Sequence, residues 1–245
     1  MKFRVVTYNI HRAIGVDRRF RLERVARALS YYDADIVLLQ EVDAGAPRSR
    51  ELDLGKELAQ QLDYPYFAIG HNVSLRKGRY GNATLSRFPI VRERNLDLTI
   101  GWRKRRGCQH TSLELAAAGG ARRLEVFNLH LGLSAMERDR QIQLLGGSHE
   151  VEQLDLGVPC IVGGDFNDWR SLLHPAMTKA LAFRCATELE RGRLLRTYPS
   201  FGPTGSLDRL YYRGGVRLIE AWTSRLAVVR VASDHLPVVA DFELR

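Results

Sequence analysis

The sequence is poor in cysteine and has no long uninterrupted hydrophobic run. Its three cysteines, Cys108, Cys160 and Cys185, are scattered and form no Cys-x-x-Cys pair. This pattern excludes a disulfide framework and a zinc knuckle, and it predicts a reducing compartment. The first residues lead directly into a predicted strand without the apolar segment of a signal peptide, and no later segment is apolar enough to span a bilayer. These absences predict a soluble, cytoplasmic protein.

Linkers, repeats and low-complexity tracts are also missing, so the chain predicts one domain over residues 1–245. Acidic side chains are in the minority. The chain has 37 Lys and Arg against 28 Asp and Glu, which gives a net charge of +9 at pH 7. Such a surplus favours a polyanionic partner, either nucleic acid or an anionic membrane surface, over a merely basic soluble protein.

The hydrophobic pattern mixes two kinds of strand connection. Segments 3–10 and 35–41 are apolar strands, and the helical spacing of apolar residues over 21–32 predicts an amphipathic helix between them. In contrast, 80–98 and 111–130 each predict a strand pair without an intervening helix. This mixture argues against a purely parallel doubly wound sheet. It predicts an α/β fold with two sheets packed face to face and helices outside.

Several local signals predict further elements. A hairpin turn is expected at 118–120. Ser134 and Glu137 have the spacing of a capping box, which predicts a long helix that ends at Gly157 and Pro159. Another helix is predicted near 172–182. Apolar segments 158–162 and 227–231 both predict buried strands.

Two of these apolar runs are followed by carboxylates. Asp165 and Asn167 lie in the sequence Gly-Gly-Asp-Phe-Asn-Asp, and Asp234 lies in Ser-Asp-His-Leu-Pro. A carboxylate at the end of a buried strand is costly to desolvate without a partner, so a metal, a histidine or a phosphate is expected nearby. The alternatives are structural, because Asp165 and Asn167 are also compatible with an Asx turn and Glu41 with the end of a strand.

Seven such motifs follow one another along the chain. Their order and chemistry resemble those of the endonuclease/exonuclease/phosphatase superfamily, which includes pancreatic-type deoxyribonucleases, abasic-site endonucleases, sphingomyelinases and inositol-polyphosphate phosphatases. The resemblance extends from Thr7 to Val238. It is carried by Thr-Tyr-Asn-Ile-His (7–11), Leu-Gln-Glu-Val (39–42), Tyr-Gly-Asn-Ala-Thr-Leu-Ser-Arg (80–87), Asn-Leu-His-Leu (128–131), Gly-Asp-Phe-Asn (164–167), Leu-Asp-Arg-Leu (207–210) and Ser-Asp-His (233–235).

The resemblance implies a four-layer α/β sandwich, with two mixed β-sheets packed face to face and helices outside, and a phosphoester hydrolase assisted by a divalent metal. Glu41 would be the main metal ligand, Asn9 would lie close to the metal and the phosphate, and Asp234 would support the metal site. Carboxylate and amide oxygens suit Mg²⁺ or Mn²⁺, whereas the lack of a Cys/His cluster disfavours zinc.

The resemblance also assigns catalytic roles. Asp165 would activate or orient the attacking water, and Asn167 would hydrogen-bond the phosphate or that water. His235, held by Asp208, would contact the scissile phosphate. His130 would stabilise charge on the phosphoryl group or the leaving oxygen, although a histidine in an apolar strand is also compatible with a satisfied core residue.

Substrate contacts are expected from Asn82, where the family approaches the phosphate, and from Arg103 and Arg106. These two arginines bound a run of four basic residues after Trp102. Such a run suits a phosphate backbone or a lipid headgroup, with the indole stacking or inserting, but also a solvated loop. The chain departs from many nuclease members at His11, where they carry an acid, and this leaves the second metal-ligand position and the substrate open.

The sequence thus predicts a Mg²⁺- or Mn²⁺-dependent phosphodiester hydrolase, foremost a nuclease that acts on DNA by in-line attack of an activated water. The alternative is a phospholipid or inositol-phosphate phosphodiesterase or phosphatase at an anionic membrane surface. A catalytically silent binding module is disfavoured because the set of motif residues is complete. No protein partner is implied, and a monomer is predicted. Endo or exo action and the number of metals stay open.

Overall fold

Two mixed sheets of six strands form the centre of the computed structural model, which describes residues 1–117 and 120–245. The first sheet has the strand order β11-β12-β1-β2-β4-β3, in which only β1 and β2 are parallel neighbours. Its strands are β1 (Lys2–Asn9), β2 (Ile36–Ala44), β3 (Tyr66–Ser74), β4 (Arg79–Ser86), β11 (Val216–Thr223) and β12 (Val238–Leu244).

The second sheet has the order β5-β6-β7-β8-β10-β9, and β7 and β8 are its parallel pair. The predicted strand pair within 80–98 is therefore divided between the sheets, because its first strand is β4 and its second is β5. The strands are β5 (Ile90–Asp97), β6 (Gly107–Ala117), β7 (Gly120–His130), β8 (Cys160–Asp165), β9 (Arg184–Cys185) and β10 (Asp208–Arg213).

Five helices accompany the sheets in the described part of the chain, and none of them is long and apolar enough to cross a membrane. Residues of the first two helices pack with the outer face of the first sheet, and residues of the third and fourth pack with the outer face of the second. The prediction of a four-layer α/β sandwich is confirmed. The helices are α1 (Leu22–Tyr32), α2 (Leu54–Gln61), α3 (Ala135–Gly146), α4 (His149–Glu152) and α5 (Ala227–Ala232).

Apolar side chains fill the three spaces between the four layers. Along β2, Ile36 and Leu38 point into the space between the sheets, whereas Val37 and Leu39 point toward α1 and α2. Because both faces of this strand are covered, its sequence is a continuous apolar run rather than an alternating one. The strand thus anchors the core, and it carries Glu41 just beyond the apolar run.

The structure corrects four local predictions. The apolar segment 227–231 forms helix α5 rather than a strand, and α5 packs on α1 through Val229 and Ala28. The helix after Ser134 ends at Gly146 and is followed by the separate short α4. The predicted capping box is not formed: Ser134 makes no side-chain cap, and Glu137 instead approaches Arg103. The helix predicted near 172–182 is shorter, with α-helical residues at 174–175 followed by a π-helix at Ala176–Ala180.

The predicted hairpin of 111–130 is present as β6 and β7, which pair over Cys108–Ala117 and Gly120–Leu129. Two of the three residues predicted for its turn, 118 and 119, lie outside the described residues.

Buried polar side chains join the two sheets beside the apolar core. Asn128 on β7 donates through Nδ2 to the carbonyls of Leu39 and Ala83 at 3.1 and 3.0 Å, and its Oδ1 accepts from Gln40 Nε2 at 2.8 Å. Asn82 on β4 donates back to the carbonyl of Asn128 at 3.1 Å. Because buried amides are costly without partners, these bonds favour one relative position of the sheets.

A second buried polar group lies on the outer face of the second sheet. Glu125 Oε2 lies 2.6 Å from His110 Nε2 and accepts a hydrogen bond from Ser112 Oγ at 2.6 Å. The His110 ring stacks on Phe127 with the centroids 4.3 Å apart. Burial acts to raise the pKa of Glu125, but the hydrogen bonds from His110 and Ser112 outweigh it and lower the pKa below its usual 4.5.

The lowered pKa of Glu125 predicts a pH-dependent contribution to stability. A carboxyl group whose pKa is lower in the folded state stabilises the protein at pH values above its pKa in the unfolded state. This contribution is lost as the pH falls through the pKa of the folded state. We expect Glu125→Gln to lower the free energy of unfolding at pH 7 by about 1–3 kcal/mol. The difference in unfolding free energy between the wild type and the variant should shrink below about pH 4. Urea unfolding at pH 7 and below about pH 4 measures this difference.

The matched control is Glu114→Gln, which changes an exposed carboxylate on the same strand pair. Equal stabilities of the two variants at both pH values would contradict a role for the buried group.

Candidate active site

Strand register brings acidic and histidine side chains together at one end of the second sheet. Asp165, the last residue of β8, is paired with Asp208 on antiparallel β10 and with His130 on parallel β7. His130 Nε2 lies 3.4 Å from Asp165 Oδ2. Three side chains predicted from separate motifs are therefore neighbours, because the ends of their strands meet.

His235 reaches this group from the loop between α5 and β12. Ser233 fixes the loop, since its Oγ donates to the carbonyl of Asn9 at 2.7 Å and accepts the backbone N–H of His235 at 3.2 Å. His235 Nδ1 lies 2.8 Å from Asp208 Oδ2, and its Nε2 lies 3.8 Å from Asp165 Oδ2. The imidazole is thus placed between two carboxylates.

The charges of this group follow from its burial. Burial acts to lower the pKa of His235, but the carboxylates of Asp208 and Asp165 outweigh it and raise the pKa to about 10. Burial raises the pKa of Asp165 to about 6, with the His235 charge opposing the rise and Asp208 adding to it. His235 is therefore cationic at neutral pH, and Asp165 titrates near the range that suits a general base.

Asp165 is oriented by two further hydrogen bonds. Its Oδ2 accepts from Asn9 Nδ2 at 3.0 Å, and its Oδ1 accepts the backbone N–H of Asn167 at 2.9 Å. The second bond is the Asx-turn contact that the sequence left open as a structural alternative, so the turn and the cluster coexist. Asn167 has a left-handed backbone (φ 50°) and donates through Nδ2 to the carbonyl of Leu131 at 3.0 Å.

His130 is electrostatically different from His235. Burial lowers its pKa well below the usual value, and the nearby charges of Arg106 and Lys104 lower it further. It is therefore neutral at physiological pH. In this state the ring has one N–H that can donate and one nitrogen that can accept a hydrogen bond.

The first sheet contributes a second group, in which Glu41 is the central residue. The pairing of β2 with β4 shifts register between Leu39 and Val42, and Glu41 has a φ of 59° at this bulge. Bulges of this kind redirect a side chain. Glu41 Oε2 lies 3.3 Å from Arg12 Nε, yet it is buried without an aligned hydrogen bond in the described structure.

A strained turn after β1 places two side chains beside this group. His11, Arg12 and Ala13 have successive φ values of 45°, 59° and 56°, a left-handed conformation that non-glycine residues rarely adopt. The backbone N–H of His11 donates to Asn9 Oδ1 at 3.1 Å. The turn brings Arg12 to Glu41 and leaves His11 Nδ1 3.7 Å from Asp234 Oδ1.

The donors predicted to hold a metal fit a hard divalent cation. Asn9, Glu41 and Asp234 supply only amide and carboxylate oxygens, and the orphaned Glu41 Oε2 is a ligand atom without a protein hydrogen bond. Asp165, Asp208 and His235 form a tighter group, with ligand atoms all within 4.8 Å of one another. In this group the His235 ring is engaged by Asp208 through Nδ1 at 2.8 Å, an arrangement that also suits catalysis.

The residues predicted to bind substrate have different surroundings. Asn82 is buried and donates through Nδ2 to the carbonyls of Gly107 and Asn128, so its side-chain oxygen remains for a ligand. Arg103 pairs with Glu137 at 3.4 Å. Arg106 is buried, and its Nε makes no hydrogen bond within the described residues.

Sequence reasoning did not select three residues that the structure places at or beside this site: Arg12, Lys104 and Asn128. Arg12 directly follows a recognised motif, and Asn128 begins another, so their positions were a usable signal. Lys104 lay within the basic run, but no pattern distinguishes it from its exposed neighbour Arg105.

Comparison with known proteins identifies the family and agrees with this fold. The Endonuclease/Exonuclease/phosphatase family matches residues 6–235. The uncharacterized protein YbhP of Escherichia coli (strain K12) is 34% identical, covering 99% of this chain and 96% of YbhP.

Solved structures of lower identity share the fold. An endonuclease/exonuclease/phosphatase from Bacteroides vulgatus aligns with a TM-score of 0.80 at 18% identity, covering 100% of both chains. The mannosyl-6-phosphatase Bt3783 of Bacteroides thetaiotaomicron aligns with a TM-score of 0.73 at 19% identity, covering 99% of this chain and 100% of its own. The chain belongs to the endonuclease/exonuclease/phosphatase family, whose members hydrolyse phosphoester bonds.

Proposed function

We propose that the protein is a divalent-metal-dependent phosphodiester hydrolase that acts on DNA by in-line attack of a water activated by Asp165. The observation that carries this proposal is the group formed by Asp165, His235 and Asp208. It combines a carboxyl group whose pKa is raised to about 6 with an imidazolium that is charged at neutral pH. A base and a fixed positive charge side by side are what phosphoryl transfer requires from a protein.

The side chains have distinct roles in this reaction. Asp165 takes the proton of the attacking water, and Asn9 and the Asn167 backbone hold its carboxylate in place. His235 stabilises negative charge on the phosphoryl oxygens, and Asp208 keeps it protonated. The neutral His130 retains a ring N–H for the phosphoryl or leaving oxygen. Asn167 contacts the phosphate or the water.

Glu41, with Asn9 and Asp234, would hold Mg²⁺ or Mn²⁺. When bound, the cation supplies charge neutralisation at the phosphoryl oxygens. Asn82, Arg103 and Arg106 would bind the substrate. The support for DNA is electrostatic: the chain carries a net charge of +9, and its basic loop lies beside the site. We further propose that the protein acts as a monomer in the cytoplasm.

A second candidate is a phospholipid or inositol-phosphate phosphodiesterase or phosphatase at an anionic membrane surface. Trp102 is 87% exposed beside Arg103 and Lys104, and an exposed indole next to cations suits an interface with anionic headgroups. The mannosyl-6-phosphatase shows that the fold also accommodates a phosphatase.

Metal dependence is the first test. EDTA should abolish hydrolysis of plasmid DNA, and Mg²⁺ or Mn²⁺ should restore it. Glu41→Gln should raise the metal concentration needed for half-maximal activity, because a neutral amide binds a hard cation more weakly than a carboxylate does. Full activity in the chelator would contradict a metal-dependent mechanism.

The role of Asp165 gives a second prediction. Asp165→Asn should lower kcat by about 10²–10⁴, because the amide cannot take a proton from water. Steady-state kinetics at saturating metal measures this, and a thermal melt checks the fold. Asp139→Asn removes an exposed carboxylate on α3 and should leave kcat unchanged. Near wild-type turnover of Asp165→Asn would show that the active site has been assigned wrongly.

A substrate panel separates the two candidates. Plasmid DNA, RNA, anionic phospholipid vesicles, an inositol phosphate and bis-p-nitrophenyl phosphate are incubated with Mg²⁺ or Mn²⁺. DNA should be the preferred macromolecular substrate. Its binding should weaken with salt, with a log–log slope of about −0.9 for each phosphate neutralised. Hydrolysis confined to the vesicles or the inositol phosphate would overturn the DNA proposal in favour of the second candidate.

A further inference from the structure

Four basic side chains lie around Glu41, and we call Arg12, Arg48, Lys104 and Arg106 the basic cluster. They come from three separate loops: Arg12 follows β1, Arg48 follows β2, and Lys104 and Arg106 precede β6. The Tyr80 ring is shared by two of them, with Arg48 Cζ 5.6 Å and Lys104 Nζ 5.1 Å from its centroid. Arg12 Nε lies 3.3 Å from Glu41 Oε2.

The cluster carries more positive charge than its surroundings balance. Arg48 is matched by Asp43, with bonds of 2.8 and 2.7 Å. Arg12 is matched by Glu41. Lys104 and Arg106 form no ion pair within the described residues, which leaves an excess of two positive charges. The repulsion is visible in the pKa of Lys104, which is lowered by burial and then by Arg106, with only Glu41 acting to raise it.

The cluster also contains donors without acceptors. Arg106 is buried, and its Nε has no hydrogen-bond partner within 1–117 and 120–245. Arg12 Nε is likewise buried without a hydrogen bond. A buried guanidinium without an acceptor is costly. Its planar fork of N–H groups matches the oxygens of a phosphate. The missing component is therefore an anion.

The phosphate that is hydrolysed does not balance this excess. A phosphodiester has one negative charge, and the His235 imidazolium already meets it on the other side of the site. A metal ion at Glu41 would increase the positive charge further. An anionic group in addition to the scissile phosphate would balance the cluster.

We propose that the basic cluster binds a second phosphate group of the substrate, adjacent to the one that is attacked. This inference rests on the proposed function and narrows it to phosphodiesters that carry a further phosphate. The chemistry is shared by two sources, a neighbouring backbone phosphate of a nucleic acid and a ring phosphate of an inositol phosphate.

Matched substrates test this proposal. Thymidine 5′-(p-nitrophenyl phosphate) is compared with the same ester carrying a 3′-phosphate, and glycerophosphoinositol with glycerophosphoinositol 4-phosphate. In at least one pair the additional phosphate should raise kcat/KM by about tenfold to a hundredfold, as expected for charge-assisted hydrogen bonds. The pair that shows the gain identifies the source of the phosphate.

Variants test whether the basic cluster causes the rise in kcat/KM. Arg106→Gln and Lys104→Gln should each bring the ratio of kcat/KM with the additional phosphate to kcat/KM without it toward one. Arg92→Gln removes the same charge from an exposed position on the edge strand β5 and should retain the wild-type ratio. Thermal melts check folding, and Lys104→Gln decides the result if the buried Arg106 cannot be replaced.

Binding without turnover separates this inference from the proposed function. In EDTA, calorimetry compares thymidine 3′,5′-bisphosphate with thymidine 5′-phosphate, and inositol 1,4-bisphosphate with inositol 1-phosphate. The bisphosphate of one pair should bind about tenfold more tightly to the wild type but not to Lys104→Gln. If all diesters are inert while this preference holds, only the proposed function fails. Equal kcat/KM values and equal affinities in both pairs would overturn the second-phosphate site.

Discussion

The hydrogen bonds of Asn128 between the two sheets are the constraint on which the site depends. Apolar packing between sheets is not directional, so it tolerates small sliding of one sheet over the other. The carboxamide of Asn128 is directional, and it contacts Leu39, Ala83 and Gln40 on the opposite sheet at 2.8–3.1 Å. Glu41 directly follows Gln40, and His130 lies two residues after Asn128. The bridge therefore couples the position of Glu41 to that of His130.

Two groups of opposite electrostatic character lie at the end of the two sheets that carries the site. On the second sheet, the Asp165 and Asp208 carboxylates are neighbours in register, and the charged His235 between them offsets their repulsion. On the first sheet, cations outnumber the carboxylate of Glu41. The His130 imidazole responds to that positive side, since Arg106 and Lys104 help to keep it neutral. Identical side chains thus acquire different protonation states from their positions.

The backbone is strained where the chemistry is concentrated. His11, Arg12, Ala13, Glu41 and Asn167 all have left-handed φ values without being glycine, and such conformations cost on the order of 1–3 kcal/mol each. The cost is sustained because each of these residues lies in or just after a strand buried in the core, and the surrounding sheet determines the geometry. The strain allows Arg12 to face Glu41 and Asn167 to hold Asp165.

The sequence by itself determined the general architecture and predicted the residues of the candidate site. The order of the motifs and the mixture of strand connections were enough to predict two packed sheets with an oxygen-rich site, because carboxylates after buried strands require partners. It could not predict α5, since the short run Ala-Val-Val-Arg-Val-Ala suits a strand or a helix equally, and packing on α1 decides between them. The family resemblance had already implied that Asp208 holds His235, and the tertiary structure supplies the distance between them. The tertiary structure alone decided that Lys104, rather than Arg105, lies near Glu41. Such contacts either join residues that are far apart in the chain or distinguish two neighbours in one loop. Only the packing of the strands and loops sets the distances between these groups, and their charge states depend on those distances.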